Sequence, residues 1–243
     1  MRIVAKTDTG LVRSMNQDAY AAGELPVGAA WAVVCDGMGG ASGGDVASSL
    51  AVKTISEHIT SGYRDGMGAK SVRNMLDCAI SAANITIYDM SRSNESLRGM
   101  GTTVVAVIVA GGTAYISHAG DSRAYMLSEG GELRQLTRDH SMVQELLECG
   151  KLTPEEARTH PRKNVITRAL GVADSIDADF SEEKMEPGDV LLICTDGLSN
   201  YISNDDIVEV TKSHNYYEFA DELIKKANSN GGGDNITVVA VTY

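Results

Sequence analysis

Apolar positions along the chain fall into two patterns. Short alternating or continuous apolar runs, bounded by Gly, Asp or Asn, predict strands over 2–7, 29–35, 101–110, 113–118, 122–127, 132–136, 189–194 and 236–242. Longer stretches repeat apolar residues every three to five positions and predict helices. Over 69–91 the residues Val72, Leu76, Ala79, Ile80, Ala83, Ile87 and Met90 make one long stripe; over 44–61 Val46, Leu50, Ile55 and Ile59 make a sparser one. Residues 141–149, 204–212 and 216–229 predict shorter helices, with Asn204, Asp205 and Asp206 as a cap and first-turn acids and Asp139 and His140 as a cap for 141–149. Gly111-Gly112 between two apolar runs predicts a type I′ or II′ hairpin, and residues 128–131 predict another turn.

The order is strands, a helix pair, a meander of strands, an insert, a strand, a helix pair and a last strand. Strands do not alternate strictly with helices, so an α+β layered fold fits better than a doubly wound sheet. Two helix pairs around a strand-rich middle suggest stacked sheets with helices outside. No linker or low-complexity tract interrupts the chain, and its four prolines are scattered. We therefore expect one domain over 1–243, with 141–165, the least regular stretch, as a flap.

Composition narrows the function. The 243 residues are 43% hydrophobic and 22% charged, a globular profile with enough chain for a large core. Lys plus Arg is 21 against 33 for Asp plus Glu, and the net charge of −12 argues against binding nucleic acid or anionic lipid. The longest clean apolar run, 104–110, is far short of a membrane span, and the first residues lack the apolar core of a signal peptide. Cys35, Cys78, Cys149 and Cys194 are widely separated and form no CxxC pair, so we expect small buried thiols in a reducing, cytoplasmic compartment. A monomer is expected.

The chemistry lies in where the aspartates fall. The run Ala30 to Cys35 leads straight into Asp36-Gly37-Met38-Gly39-Gly40, and Val190 to Thr195 leads into Asp196-Gly197. Asp234 follows a Gly-rich loop and precedes the strand at 236; Asp18 follows the first strand; Asp121 lies between two short strands. Any one Asp-Gly is an ordinary turn. Several carboxylates gathered at strand ends are costly unless cations neutralise them, and oxygen donors suit Mg²⁺ or Mn²⁺. The five histidines are scattered without helical metal spacing, which disfavours zinc.

Arg13-xx-Asn16-Gln17-Asp18, Asp36-Gly37-Met38-Gly39-Gly40, Gly101-Thr102-Thr103, Gly120-Asp121-Ser122-Arg123, Leu136-Thr137-Arg138-Asp139-His140-Ser141, Ile166-Thr167-Arg168-Ala169-Leu170-Gly171, Thr195-Asp196-Gly197-Leu198 and Gly233-Asp234-Asn235-Ile236-Thr237 follow one another in this order. The series resembles that of the metal-dependent PP2C-type serine/threonine protein phosphatases, most closely the compact bacterial members, from residue 13 to residue 241. The resemblance implies a four-layer αββα sandwich with a binuclear Mn²⁺/Mg²⁺ centre at one end. It implies Asp36 bridging the two ions, the Gly37 carbonyl completing one site, Asp196 and Asp234 holding one ion and Asp18 reaching the other through water. It implies a third, weaker ion on Asp121 with Asp196. A hydroxide held between two cations would attack phosphorus in line, with Arg13 clamping the phosphate. Phosphorylated Ser/Thr proteins and a partner Ser/Thr kinase follow from the resemblance.

Two positions depart from many eukaryotic members. Gln17 stands where they carry Glu, and Met38 where they carry His, a candidate general acid. That leaves the proton for the leaving group to water, with His118 read as a structural residue in a strand. Thr102 and Thr103 read as sheet residues, Arg138 and Arg168 as partners of carboxylates, and Asn235 as ordering the loop of Asp234. A catalytically dead relative acting as a binding module would have lost a core carboxylate, and this chain keeps Asp18, Asp36, Asp196 and Asp234. A metal phosphodiesterase or small-molecule phosphatase is the other competing reading. A cysteine phosphatase needs Arg six positions after Cys, where this chain has Ala41, Asn84, Glu155 and Asn200. An aspartyl-phosphate mechanism needs DxD after a buried strand, and Asp177-Ala178-Asp179 lies in a polar stretch.

Overall fold

Three apolar strands carry the core because their alternating side chains serve two layers at once. The computed structural model describes residues 1–39 and 43–243, so Gly40 and Ala41 lie outside the described residues. Among those described, one sheet runs in the order β1 (Arg2–Asp8), β11 (Ile236–Thr242), β10 (Val190–Cys194), β7 (Arg123–Leu127) and β8 (Leu133–Gln135). The other runs β2 (Asp18–Leu25), β3 (Ala29–Met38), β5 (Val104–Ala110), β6 (Thr113–Ala119) and β9 (Asp179–Lys184), with β4 (Gly101–Thr102) paired to the end of β3. Each pairing is antiparallel.

Ala30, Ala32 and Val34 of β3, Leu191 and Ile193 of β10, and Val239 and Val241 of β11 share the cluster between the sheets. The alternate residues Trp31, Val33 and Cys35 face α1 (Gly44–Gly62) and α2 (Ala69–Ser93). Leu192, Cys194, Val238 and Ala240 face α6 (Asn204–Ser213) and α7 (Phe219–Ser229). Helices, sheet, sheet and helices are thus the four layers that the element order implies. The connections 111–112 and 128–131 are turns as expected; Gly111 and Gly112 have φ of 56° and 73°, the paired positive values of a type I′ hairpin.

The structure corrects several expectations. β2 and β9 are strands that the pattern did not reveal, and Asp179 therefore opens a sheet-edge strand. The strand expected over 101–110 breaks at Thr103, whose backbone N–H turns to the Asp36 carbonyl at 2.9 Å. The buried face of α1 is Ala47, Ala51, Val52, Ile55 and Ile59, while Val46 and Leu50 are half-buried. Ser141, not Asp139 or His140, caps α3 (Met142–Glu148), and Ser203, not Asn204, caps α6. Residues 141–165 hold the expected helix, α3, and a second short one that the pattern did not reveal, α4 (Pro154–Thr159). Cys35 and Cys194 are buried thiols, but Cys78 and Cys149 are exposed; all four are free.

Candidate metal centre

Antiparallel pairing brings the carboxylates together. The C-terminal ends of β3, β6 and β10 and the N-terminal ends of β2, β7 and β11 share one end of the sandwich. Asp36 ends the apolar part of β3 directly opposite Asp18, the first residue of β2. Asp121 lies in the β6–β7 connection, Asp196 opens the single turn α5 (Asp196–Ser199) after β10, and Asp234 lies two residues before β11. Arg13, Asp36, Gly37, Asp121, Asp196 and Asp234 line one recess of about 460 Å³, together with Met38 and Asn235. A second cavity of about 560 Å³ shares Asp121 and Asp196 and extends between 141–163 and 199–206.

The glycines permit this convergence. A Cβ on Gly37 would lie 2.0 Å from the Gly44 carbonyl oxygen, and one on Gly197 would lie 1.9 Å from that of Asn235. Gly37 hydrogen-bonds through its N–H to the Gln17 carbonyl at 3.1 Å. Hydroxyls then fix the acids from behind. Asp18 Oδ2 accepts hydrogen bonds from Thr195 Oγ1 at 2.9 Å and Thr237 Oγ1 at 2.7 Å. Thr103 Oγ1 accepts from the Asp36 N–H and meets Ser122 Oγ at 2.7 Å, while Thr102 Oγ1 donates to the Asp36 carbonyl.

Burial and mutual repulsion govern the electrostatics. Burial pushes the Asp18 carboxyl up to about 7 against stabilising hydrogen bonds from Thr237 and Thr195, with Asp196 and Asp234 adding repulsion. Asp121 is pushed up to about 8, by burial first and Asp196 second. Asp36 lies well above the carboxylate range, from burial and then the charges of Asp18, Asp196, Asp121 and Asp234. Asp196 is raised by burial first and Asp234 second, with Asp36 and Arg123 pulling it back. Asp18 Oδ1 and Asp196 Oδ1 are buried without a hydrogen-bond partner. Excess negative charge, all-oxygen donors and orphaned lone pairs fit a hard divalent cation. At the rim the Arg13 Nη2 donates to Asp234 Oδ2 at 2.9 Å, and this bond raises the guanidinium pKa further.

The protein phosphatase 2C family model matches residues 12–235. The chain belongs to the protein phosphatase 2C family. Among its curated relatives, the serine/threonine phosphatase Stp of Listeria monocytogenes serotype 4b (strain F2365) is 41% identical over 240 residues, covering 97% of this chain and 93% of that protein. The serine/threonine protein phosphatase PstP of Mycobacterium tuberculosis is 38% identical over 239 residues, 98% of this chain but 44% of the longer relative. The solved serine/threonine phosphatase of S. agalactiae superposes with a TM-score of 0.92 at 37% identity, covering 100% and 99% of the two chains. The catalytic domain of PstP in complex with two manganese ions superposes at 0.85 with 36% identity, covering 98% and 96%.

In this family member, the residues singled out in the sequence converge at one recess, with Asp18 behind it. The sequence reading missed Thr195, Thr237 and Ser122 as supports for the acids; their partners lie at least 19 residues away, and no local spacing marks them. Arg138 pairs with Glu148, and Arg168 with Asp179, as expected. Among the described residues, His118, His140 and Asp179 also place ligand atoms within 4.8 Å of one another. The two rings are stacked, 4.8 Å apart and within 2° of parallel, so their in-plane lone pairs do not converge. His118 Nε2 bonds the Arg138 carbonyl, His140 Nδ1 accepts from the Gly120 N–H, and Asp179 pairs with Arg168. This trio holds loops together, the structural role expected for His118.

Proposed function

We propose that this chain is a protein serine/threonine phosphatase that hydrolyses phosphoserine and phosphothreonine monoesters, with two Mn²⁺ or Mg²⁺ ions at the strand-end carboxylates. The observation that carries the reading is the gathering of raised, mutually repelling carboxylates with buried oxygens that lack partners. The two manganese ions in the PstP catalytic domain support it. Asp36 would hold both ions, the Gly37 carbonyl would complete one site, Asp196 and Asp234 would hold one ion and Asp18 the other through water, with a third, weaker ion on Asp121 and Asp196. When bound, the ions supply an activated water between them and offset charge on the phosphoryl oxygens.

The chain's own groups do the rest. Thr195 and Thr237 occupy Oδ2 of Asp18 and leave its buried Oδ1 without a protein partner. Arg13 is half exposed at the rim, where its planar guanidinium meets two phosphate oxygens of an arriving phosphoresidue. Met38 lines the recess and holds no proton, so the leaving serine or threonine oxygen takes its proton from water. Residues 141–165, which wall the second cavity, act as a flap over the entry. Four free thiols, two of them exposed, suit a reducing cytoplasm, where a Ser/Thr kinase would supply the phosphoproteins and the phosphatase would act as a monomer.

The test is metal depletion with EDTA and add-back of Mn²⁺, reading phosphate release from phosphoserine, phosphothreonine and phosphotyrosine peptides and from nucleotides. Metal-dependent release from the first two is expected. Equal turnover of nucleotides, or release without metal, would overturn the reading.

A further inference from the structure

Asn235 uses its whole side chain on one neighbouring segment. Its Nδ2 donates to the Thr9 and Met15 carbonyls, each at 2.9 Å, and its Oδ1 accepts from the Gln17 N–H at 2.8 Å. The amide orientation is dictated by these partners, since a flipped amide would face two carbonyls with an oxygen and an N–H with an NH₂. Asn235 is 5% exposed, so water does not take over the bonds. The three contacts grip both ends of the segment 9–17, and Arg13 lies between them.

Leu11 and Val12, beside Arg13, are 68% and 71% exposed and bury little against the core. The same loop also takes the Leu11 N–H, at the Gly232 carbonyl at 2.7 Å, and Arg13, at Asp234, while the Gly10 N–H donates to Asp8 Oδ1 and Asn16 Nδ2 to Thr7 Oγ1, each at 2.8 Å. Gly10 presses so close that a Cβ there would lie 2.1 Å from the Asp234 carbonyl oxygen. The Gln17 peptide passes the constraint on, because its carbonyl accepts from the Gly37 N–H and from Ser48 Oγ.

We infer that Asn235 is the positioning residue that sets Arg13 over the site and seats the Gln17 peptide against Gly37. It touches neither substrate nor ion; it fixes the frame from which Arg13 reaches phosphate. The inference rests on the proposed role of Arg13 in binding phosphate, and its test separates the two.

The experiment is a double-mutant cycle of Asn235→Ala and Arg13→Ala at saturating Mn²⁺, reading KM for an aryl phosphate, Ki for inorganic phosphate and Tm. Arg13→Ala is expected to raise KM and Ki about tenfold or more, the loss of charge-assisted hydrogen bonds. Asn235→Ala is expected to raise both about fivefold to tenfold in the native background and less than about twofold beside Arg13→Ala. Additive effects, or a lowered Tm with KM and Ki intact, would overturn the role of Asn235. An unchanged KM in Arg13→Ala alone would instead remove the phosphate role of Arg13. Should Asn235→Ala fail to fold, Asn235→Ser, which keeps a hydroxyl but cannot span all three partners, takes its place with the same readings.

Discussion

Asp18, Asp36, Asp121 and Asp196 titrate above their ordinary range because burial and neighbouring charges favour their protonated forms. A carboxyl whose folded pKa is raised binds more protons in the folded than in the unfolded chain, so stability falls as pH rises from the unfolded value to the folded one. Asp18 completes that loss near pH 7 and Asp121 near pH 8. His118 and His140, lowered chiefly by burial, have the opposite sign: the neutral folded rings cost stability as pH falls below about 6.5. Between pH 6.5 and 8 the carboxylates therefore dominate. Metal-free protein is expected to lose on the order of 1–3 kcal/mol across that window, with Mn²⁺ flattening the slope. Thermal melts in EDTA and in Mn²⁺ check this; a metal-free stability that rises through the window would contradict it.

At the scale of elements, side-chain bridges bind the site to the base of the 141–165 segment. Arg123 on β7 grips Asp139 through Nε and Nη2, and the guanidinium also meets the Tyr125 hydroxyl. One residue on, the His140 N–H donates to the Gly120 carbonyl and His140 Nδ1 accepts from the Gly120 N–H, beside Asp121. Asp139 is nearly buried, so Arg123→Ala would leave an unpaired charge and is expected to destabilise by about 3 kcal/mol, read by urea denaturation. A loss within 0.5 kcal/mol would contradict this pairing argument. The sequence made the apolar strands β3, β5, β10 and β11 and the long helix α2 plain, because they are fully buried or sharply striped. β2, Asp-Ala-Tyr-Ala-Ala-Gly-Glu-Leu, hid because Ala and Gly lack strand preference and pairing with β3 decides its conformation. β9, Asp-Phe-Ser-Glu-Glu-Lys, hid because a charged sheet edge looks like loop. Asp36, Asp196 and Asp234 stood out because each abuts an apolar run, whereas the hydroxyls of Thr195 and Thr237 meet Asp18 only after folding.

For the molecule as a whole, two antiparallel sheets do two jobs. Their inner faces share a dry aliphatic cluster, and their common end collects acids that the same chain must then neutralise. No helix among the described residues is long and apolar enough to cross a membrane. The net charge of −12 adds to the field that draws cations to the recess. Because Asp18 and Asp121 are pushed up to about 7 and about 8, and Asp36 well above its ordinary range, cation binding must displace protons from the carboxyls. Calorimetric titration of Mn²⁺ into EDTA-stripped protein at pH 7, repeated in buffers of different ionisation enthalpy, reads stoichiometry and proton release together. Two or more ions per chain with net proton release are expected, both lost in Asp36→Asn with Asp196→Asn. The same stoichiometry in that double variant, or no binding by the native chain, would contradict the assignment of the strand-end carboxylates as the metal centre.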